Sequence, residues 1–355
     1  MGTTARVLLG TLVAGLLCGA CSSDASTRAD GTADATTTTA PAAAVPEPED
    51  IPDGTTLRVG DQLEYLQTIL RLAGEDQDLP YEVEYSSFVG GPPMLQAFQG
   101  GALDTGFVGS TPLIFAQAQG QDIVAVAGWA GEKGAYRLVT APGVDDIGGW
   151  GDLAGKRVAY QRGTAGEAAL LQALDAAGVA PGDVTTVDIP ITQATSALQG
   201  GSADAAITVE PLTSVYLASS PEAKVVDSAS EITGRSSFLI ATRSTLDDEA
   251  RSAALADYTA RLVRGFGYLR EHPDQVAQAV YVDQYGLTPE RAAEVVEEQG
   301  VGSFVELPGE VADQQQALAD LFVEAGQIPE PVDVTAEFDT RFNALVQETQ
   351  GERVG

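Results

Sequence analysis

From Thr55 onward the chain switches repeatedly between two hydrophobic periods. The short β-branched run "TLRVG" is followed by "QLEYLQTILRLAG", whose apolar residues recur three and four apart, and then by the alternating "YEVEYSS". "PPMLQAFQGG" reads as helix, "DTGFVG" as strand, "TPLIFAQAQG" as helix and "IVAVAGW" as a buried strand. Strands alternating with helices of about ten residues need crossover connections, so the pattern predicts an α/β fold with mostly parallel sheets.

A second series of the same kind runs through "YRLVTAPG", "KRVAYQ", "TAGEAALLQALDAAG", "VTTVDIP" and "ATSALQGGSADAAITV" to "EPLTSVYLA". One segment occurs twice at an offset of one hundred residues: "QAFQGGALDTGFV" (96–108) and "SALQGGSADAAIT" (196–208). Gln99, Gly100, Gly101 and Asp104 meet Gln199, Gly200, Gly201 and Asp204. Each copy reads as an apolar helix, a glycine stop, a turn aspartate and a buried strand, so equivalent elements of two similar lobes are expected. After the strand "SFLIAT", helical patterning dominates, with candidates at 246–272, 273–285, 289–299, 309–326 and 334–347. The expected domains are a first lobe at 55–136 plus 237–350 and a second at 137–236, with hinges near 134–140 and 234–240.

The first fifty residues follow neither period. Arg6 precedes an apolar run at 7–17 that is too short to span a bilayer comfortably and fits an export signal at 1–20. Residues 21–54 are rich in Ser, Thr, Ala, Pro and Asp, cannot bury enough apolar surface to offset ordering, and read as a disordered tether.

Composition narrows the chemistry. Acidic residues number 51 against 19 basic ones, a formal net charge of −32, which repels a phosphate backbone and argues against a nucleic-acid partner. Histidine occurs once, at His272, and cysteine only at Cys18 and Cys21. No Ser-His-Asp triad, Cys-His dyad or zinc cluster follows from that inventory, and neither a metal nor a cofactor is expected. His272, just before Pro273, reads as a polar residue at a helix end.

In open parallel sheets ligands meet the C-terminal ends of strands, so the residues after each strand are the candidates. They include Asp61, Gln62 and Leu63; Gly90 and Gly91; Ser110 and Thr111; Gln161 to Thr164; Thr192 and Gln193; and Glu210. "VGGPPM", "VGSTPL" and "RGTAGEA" each open a helix, where free amides and the helix dipole favour an anion. "WGDLAGKR" has Trp150 where a phosphate loop needs glycine, and no dinucleotide fingerprint follows a strand.

The blocks "GGPPMLQAFQGGALDTGFVGSTPLIFAQAQGQDIVAVAG", "WGDLAGKRVAYQRGTAGEAALLQAL" and "ATSALQGGSADAAITVEP" resemble the extracytoplasmic solute-binding proteins of ABC importers, in the sulfonate, taurine, nitrate and thiamine-precursor group. The resemblance implies a two-lobe type II periplasmic-binding fold, hinge closure on a small ligand, and a permease and ATPase as partners. By motif it places Gly90, Gly91, Ser110, Thr111, Gly163, Thr164 and Glu210 at the ligand; Gln62 and Thr192 join them as strand-end residues. Gly19-Ala20-Cys21 resembles a lipobox, implying a lipid on Cys21, although Cys18 stands where the motif usually has leucine. Helix amides favour a sulfonate-like anion, Glu210 suits an amine, Arg137 or Arg162 could pair with the anion, and Tyr65, Phe88, Trp129 and Tyr136 could wall an apolar part. Two other functions fit the same fold: an enzyme of cofactor biosynthesis, opposed by the lack of a catalytic histidine or cysteine and by the export signal, and a surface sensor without a transport role.

Overall fold

The computed structural model describes residues 51–131, 136–228 and 236–352, all of which belong to one unit by their contacts. The signal, residues 21–50 of the expected tether, Cys18 and Cys21 lie outside the described residues, as do the first two residues of each expected hinge, 134–135 and 234–235. Ile51, at the end of the expected tether, packs against the core. Among the described residues no helix is long and apolar enough to cross a membrane, and no group of His, Cys, Asp and Glu could hold a metal.

The chain opens with β1 (Thr56–Gln62), α1 (Tyr65–Ala73), β2 (Glu82–Phe88), α2 (Gly91–Gln99), β3 (Thr105–Gly109), α3 (Ser110–Ala118) and β4 (Ile123–Ala130). It then enters a second sheet through β5 (Tyr136–Thr140), β6 (Arg157–Tyr160), α4 (Ala165–Ala176), β7 (Thr185–Asp188), α5 (Ala194–Gln199), β8 (Ala205–Val209), α6 (Leu212–Ser219) and β9 (Val225–Ser228). It returns with β10 (Ser236–Thr242), α7 (Arg243–Asp247), α8 (Glu249–Glu271), α9 (Pro273–Val276), a π-helical turn at Ala277–Val282, α10 (Pro289–Gln299), β11 (Ser303–Val305), α11 (Gly309–Glu324) and α12 (Asn343–Gly351).

The first sheet has the order β11-β4-β10-β3-β1-β2 and the second β7-β6-β8-β5-β9. Crossover-linked strands run parallel, as the alternating pattern predicts. The reversed strands β5 and β10 are the ones that enter a sheet just after the chain has crossed over, and the short β11 adds an antiparallel edge. The two sheets are therefore mixed. Apolar clusters fill both faces of each sheet: α1 and α8 against one face of the first, α2 and α3 against the other, α4 and then α5 with α6 against the second. A further cluster joins Ile114 of α3 and Leu318 and Phe322 of α11 to Ala168 and Leu171 of α4, so helices of both sheets share one apolar contact.

The hundred-residue repeat is a repeated hydrogen-bond network. In the first copy Asp104 accepts from the Arg58 amide at 2.9 Å, from Nε at 3.0 Å and from Nη2 at 2.7 Å, while Arg58 Nη1 donates to the Gly101 carbonyl. In the second, Asp204 accepts from the Arg157 amide at 2.8 Å, Nε at 3.1 Å and Nη2 at 2.6 Å, and Nη1 reaches the Gly201 carbonyl. Gly101 and Gly201 sit at φ 69° and 70°, a left-handed stop that side chains resist. The copies differ in environment: Asp104 is buried and also receives Arg251 Nη1 at 3.1 Å, whereas Asp204 is partly exposed.

Two helix predictions are divided by local chemistry. The 246–272 helix is split because Asp248 stays extended and caps α8, its carboxylate accepting from the Arg251 amide at 2.9 Å. The 334–347 helix is a 3-10 turn at Val334–Glu337 and then α12. Between them Phe338 bridges to Ala125, and the Asp339 amide bonds the Ala125 carbonyl at 2.9 Å.

Burial pushes the Asp104 carboxyl up, but Arg58 and Arg251 outweigh it and hold the group below the ordinary carboxylate range. Its stabilising contribution is complete above the unfolded value of about 3.9 and is lost as pH falls through the lower folded value. At pH 7 Asp104→Asn should cost about 3–5 kcal/mol, because two guanidinium groups lose their partner. Asp204→Asn should cost about 1–2 kcal/mol, since water reaches that site. Urea unfolding at pH 7 and pH 3 checks both; equal losses at the two sites would contradict the difference in burial.

Candidate functional site

Strand ends of both sheets meet around a cavity of about 370 Å³. From the first sheet it receives Gln62 at the end of β1, Phe107 of β3 and Trp129 of β4; from the second, Tyr136 of β5 and Glu210 just after β8. Its outer wall is Tyr281 and Tyr285 from the π-helical turn and its continuation. A larger crevice of about 550 Å³ lies between α2, α3 and the β6–α4 loop, lined by glutamines such as Gln96, Gln99 and Gln121 together with Arg162. We take the smaller cavity as the site: it lies at the strand ends and is walled by rings. In the crevice Arg162 is committed to Asp188 and to Gln327 Oε1 at 2.7 Å.

The turn that delivers Gln62 is strained. Leu63 and Glu64 both adopt left-handed backbone, at φ 53° and 59°, where a residue other than glycine costs about 1–3 kcal/mol. The buried Asp61 carboxylate compensates, accepting from the amides of Gln62 at 2.8 Å, Leu66 at 3.0 Å and Gln67 at 3.1 Å. Gln62 Nε2 donates to the Phe107 carbonyl at 2.7 Å, which seats the side chain between β1 and β3.

Two more helix starts also contain a carboxylate of this chain. Glu167 of α4 folds back so that Oε2 accepts from the Gly163 amide at 2.7 Å, and Glu210 Oε2 accepts from the Ser214 amide of α6 at 3.2 Å. Burial raises the Glu167 carboxyl, with the Gly163 amide opposing. Arg291 Nη2 lies 3.3 Å from Glu210 Oε1 and Arg291 Nε donates to Ser214 Oγ at 3.0 Å, so Glu210 has a cationic partner from α10. Glu210 is joined to Pro211 by a cis peptide bond.

Of the residues singled out from the sequence, Gln62 and Glu210 line the cavity, as do Tyr65, Trp129 and Tyr136. Phe88 packs instead against the cluster around α2 and α3. Gly90, Gly91 and Gly163 converge where the two sheets' loops touch. A Cβ on Gly91 would lie 2.4 Å from Pro112 Cγ, one on Gly90 3.2 Å from Gln161 Nε2, and one on Gly163 3.3 Å from Pro92 Cγ. The three glycine-bearing helix starts therefore meet one another, with the glycines admitting close backbone approach.

Ser110 and Thr111 are buried at the start of α3, one step beyond Gly109, whose register partner Ser237 lines the cavity. Thr111 Oγ1 has no hydrogen-bond partner among the described residues. Thr164 caps α4, accepting from the Gly166 amide at 3.2 Å and donating to the Gln161 carbonyl, while Thr192 is exposed outside both cavities. Arg137 is buried and Arg162 borders the crevice; neither lines the cavity, and no described Lys or Arg does. His272 ends α8, bonded through Nδ1 to the Tyr268 carbonyl at 2.9 Å and stacked on the Tyr268 ring.

The sequence reading missed Phe107, Tyr281, Tyr285 and Gln299. Tyr281 and Tyr285 stand four apart, Tyr281 in the π-helical turn and Tyr285 in the turn that follows it. Gln299, eighteen residues on at the end of α10, accepts from Tyr281 Oη at 3.1 Å, and its Nε2 is buried without a partner among the described residues.

Two mixed sheets flanked by helices, with a ring-lined cavity at their strand ends, define a binding-protein fold. The alkanesulfonate-binding protein SsuA from Xanthomonas axonopodis pv. citri, solved bound to MOPS, shares that fold at a TM-score of 0.73 and 24% identity, over 81% of this chain and 99% of that one. The periplasmic aliphatic sulphonate binding protein SsuA from Escherichia coli matches at a TM-score of 0.69 and 27% identity, over 81% and 92%. A relative from Bacillus subtilis (strain 168), whose name describes aliphatic sulfonate binding, is 28% identical over 278 residues, 76% of this chain and 80% of its own. The family model described as NMT1/THI5 like matches residues 83–276, more than half of the chain. The chain belongs to the NMT1/THI5-like family.

The start of α3 is held from behind by a buried pair. Gln315 Nε2 donates to the Ser110 carbonyl and to Glu337 Oε2, both at 2.9 Å, and Glu337 Oε1 has no partner among the described residues. Burial pushes the Glu337 carboxyl up to about 8, opposed only weakly by Gln315. The folded state therefore holds a proton that the unfolded chain releases near pH 4.5, so stability falls as pH rises from there to about 8. Glu337→Gln should leave stability at pH 4.5 unchanged and raise it at pH 8. Chemical denaturation at the two pH values checks this; an equal effect at both would show that Glu337 is ionised in the fold.

Proposed function

We propose that this protein is the solute-binding component of an ABC importer and captures a small organosulfonate, handing it to a permease and ATPase without chemical change. The observation that carries this reading is the cavity where strand ends of both sheets meet, in a fold shared with the sulphonate binding protein of Escherichia coli. The anion is received by neutral donors. The amides of Leu63, Glu64 and Tyr65 in the strained turn have no partner among the described residues, and Gln299 Nε2 is equally free. Gln62 at the end of β1 lines the cavity and adds a side-chain amide to a donor set that suits a sulfonate's three oxygens. Arg291 offsets the charge of Glu210, so the carboxylate does not confront the ligand alone.

Capture proceeds by closure of a first lobe, 55–136 plus 237–350, on a second, 137–236. The shared apolar contact of α3, α4 and α11 acts as the pivot, and the Arg291 to Glu210 pair lies on the side that opens. The chain is exported on the signal at 1–20 and held at the outer face of the cell membrane by a lipid on Cys21, with 21–54 as tether. Calorimetry and thermal-shift scans over sulfonates, nitrate, bicarbonate and thiamine precursors should single out sulfonates, and small-angle scattering should record a smaller radius of gyration with ligand. Silence across the whole panel would remove the assignment. Metabolic labelling with a fatty acid should mark the full-length chain and fail in Cys21→Ser.

A further inference from the structure

The cavity is larger and more aromatic than a short sulfonate requires. A two-carbon sulfonate displaces roughly three or four waters, ~100 Å³ at about 30 Å³ each. That is a fraction of the 370 Å³ present. The remaining space is bounded by rings. Tyr65 and Phe107 lie 5.5 Å apart between centroids, and Phe107 and Trp129 5.9 Å, forming a continuous tilted row on the first-sheet side. Tyr136 enters from the second sheet, and Tyr281 and Tyr285 from the π-helical turn and the turn after it. Tyr65, Glu210, Tyr281 and Tyr285 all line this one space.

The Tyr281 wall is built on a π-helical turn, a rare conformation that often accompanies functional sites. Tyr65 and Tyr285 keep part of their rings uncovered by protein, which for so large an apolar group is a cost a ligand would remove. Polar groups sit at the margins of this slot: Gln62 on one side, and Gln299 with its unpartnered Nε2 on the other.

We infer that the site selects an arenesulfonate, its flat ring inserted between the Tyr65–Phe107–Trp129 row and the Tyr281–Tyr285 wall. This deepens the organosulfonate reading above and rests on it. Rings at such distances prefer offset or edge-to-face contact, which the tilted row offers and a linear alkyl chain cannot exploit.

The test uses the full chain in calorimetry with three probes: 2-naphthalenesulfonate, ethanesulfonate and 2-naphthalenemethanol. The aromatic sulfonate should bind about 30-fold more tightly than ethanesulfonate, the gain expected from burying a ring. Equal affinity of the two sulfonates overturns the inference and leaves the organosulfonate reading standing. The alcohol binding as tightly as the aromatic sulfonate supports the ring slot but overturns the sulfonate reading, and binding of none of the three overturns both. Tyr285→Ala and Tyr65→Leu, at partly exposed positions that fold should tolerate, are each expected to bring the two sulfonates within about threefold. A preserved 30-fold ratio in both variants, with unfolding curves like the parent's, places the ring elsewhere and overturns the slot.

Discussion

Everything at the site depends on where the strands end, and the Arg58–Asp104 clamp with its copy at Arg157–Asp204 fixes that. Each clamp ties the first residues of one parallel strand to the turn before its neighbour, through three bonds to one carboxylate and one to a glycine carbonyl. Register follows directly: Val59 pairs with Thr105 and Val158 with Ala205. A strand slipped by one residue would turn its apolar side chains to the wrong face, so the clamp and the core enforce the same alignment. Gln62, Phe107 and Glu210 then arrive at the cavity from strands whose other ends are pinned.

Electrostatics at the cleft is local. A formal charge of −32 repels an anion at long range, but exposed charges are largely screened beyond roughly 8 Å at physiological salt. Near the site, three helix starts already hold carboxylates of the chain: Asp61 at α1, Glu167 at α4 and Glu210 at α6. These internal anions stabilise the helices and the loops before them. Among the described residues the Thr111 hydroxyl at the start of α3 has no hydrogen-bond partner, whereas the Ser110 hydroxyl already donates to the Ser236 carbonyl at 3.4 Å. Neutral donors in a partly buried cavity hold an anion without the desolvation cost of a buried arginine.

The contact between the two sheets' helices divides into unlike parts. Around α3, α4 and α11 it is apolar, with Phe322, Leu318 and Leu171 packed together, each of the order of 1.5–3 kcal/mol when fully buried. Next to it the loops at the starts of α2 and α4 approach closely: a Cβ on Gly163 would lie 3.3 Å from the Pro92 ring, and one on Gly90 3.2 Å from Gln161 Nε2. Across the cavity the contact is polar, through Arg291, Ser214 and Glu210. The pair joins a buried carboxylate, 1% exposed, to an Arg291 guanidinium that water partly reaches, so this part of the contact is polar where the α3–α4–α11 part is dry.

Local periodicity determined the elements. The runs from "TLRVG" to "SFLIAT" are strands, though the short edge strands β9 and β11 were not legible. The repeated "QGG" and aspartate are the two clamps, and Gln62, Glu210, Tyr65, Trp129 and Tyr136 were legible as strand-end or neighbouring side chains because strand ends are where such folds bind. What a single sequence could not express is pairing over long separations. The partner of Glu210 is Arg291, eighty-one residues away, and the wall opposite Tyr65 is Tyr281, beyond the whole second sheet. The same limit applies to occupancy. "RGTAGEA" announces a helix start open to an anion, yet only the fold of Glu167 onto Gly163 decides that its first donor is already taken. Sequence fixes which groups exist and their local geometry; tertiary packing decides which remain free, because hydrogen-bond capacity and solvent access are properties of the assembled neighbourhood.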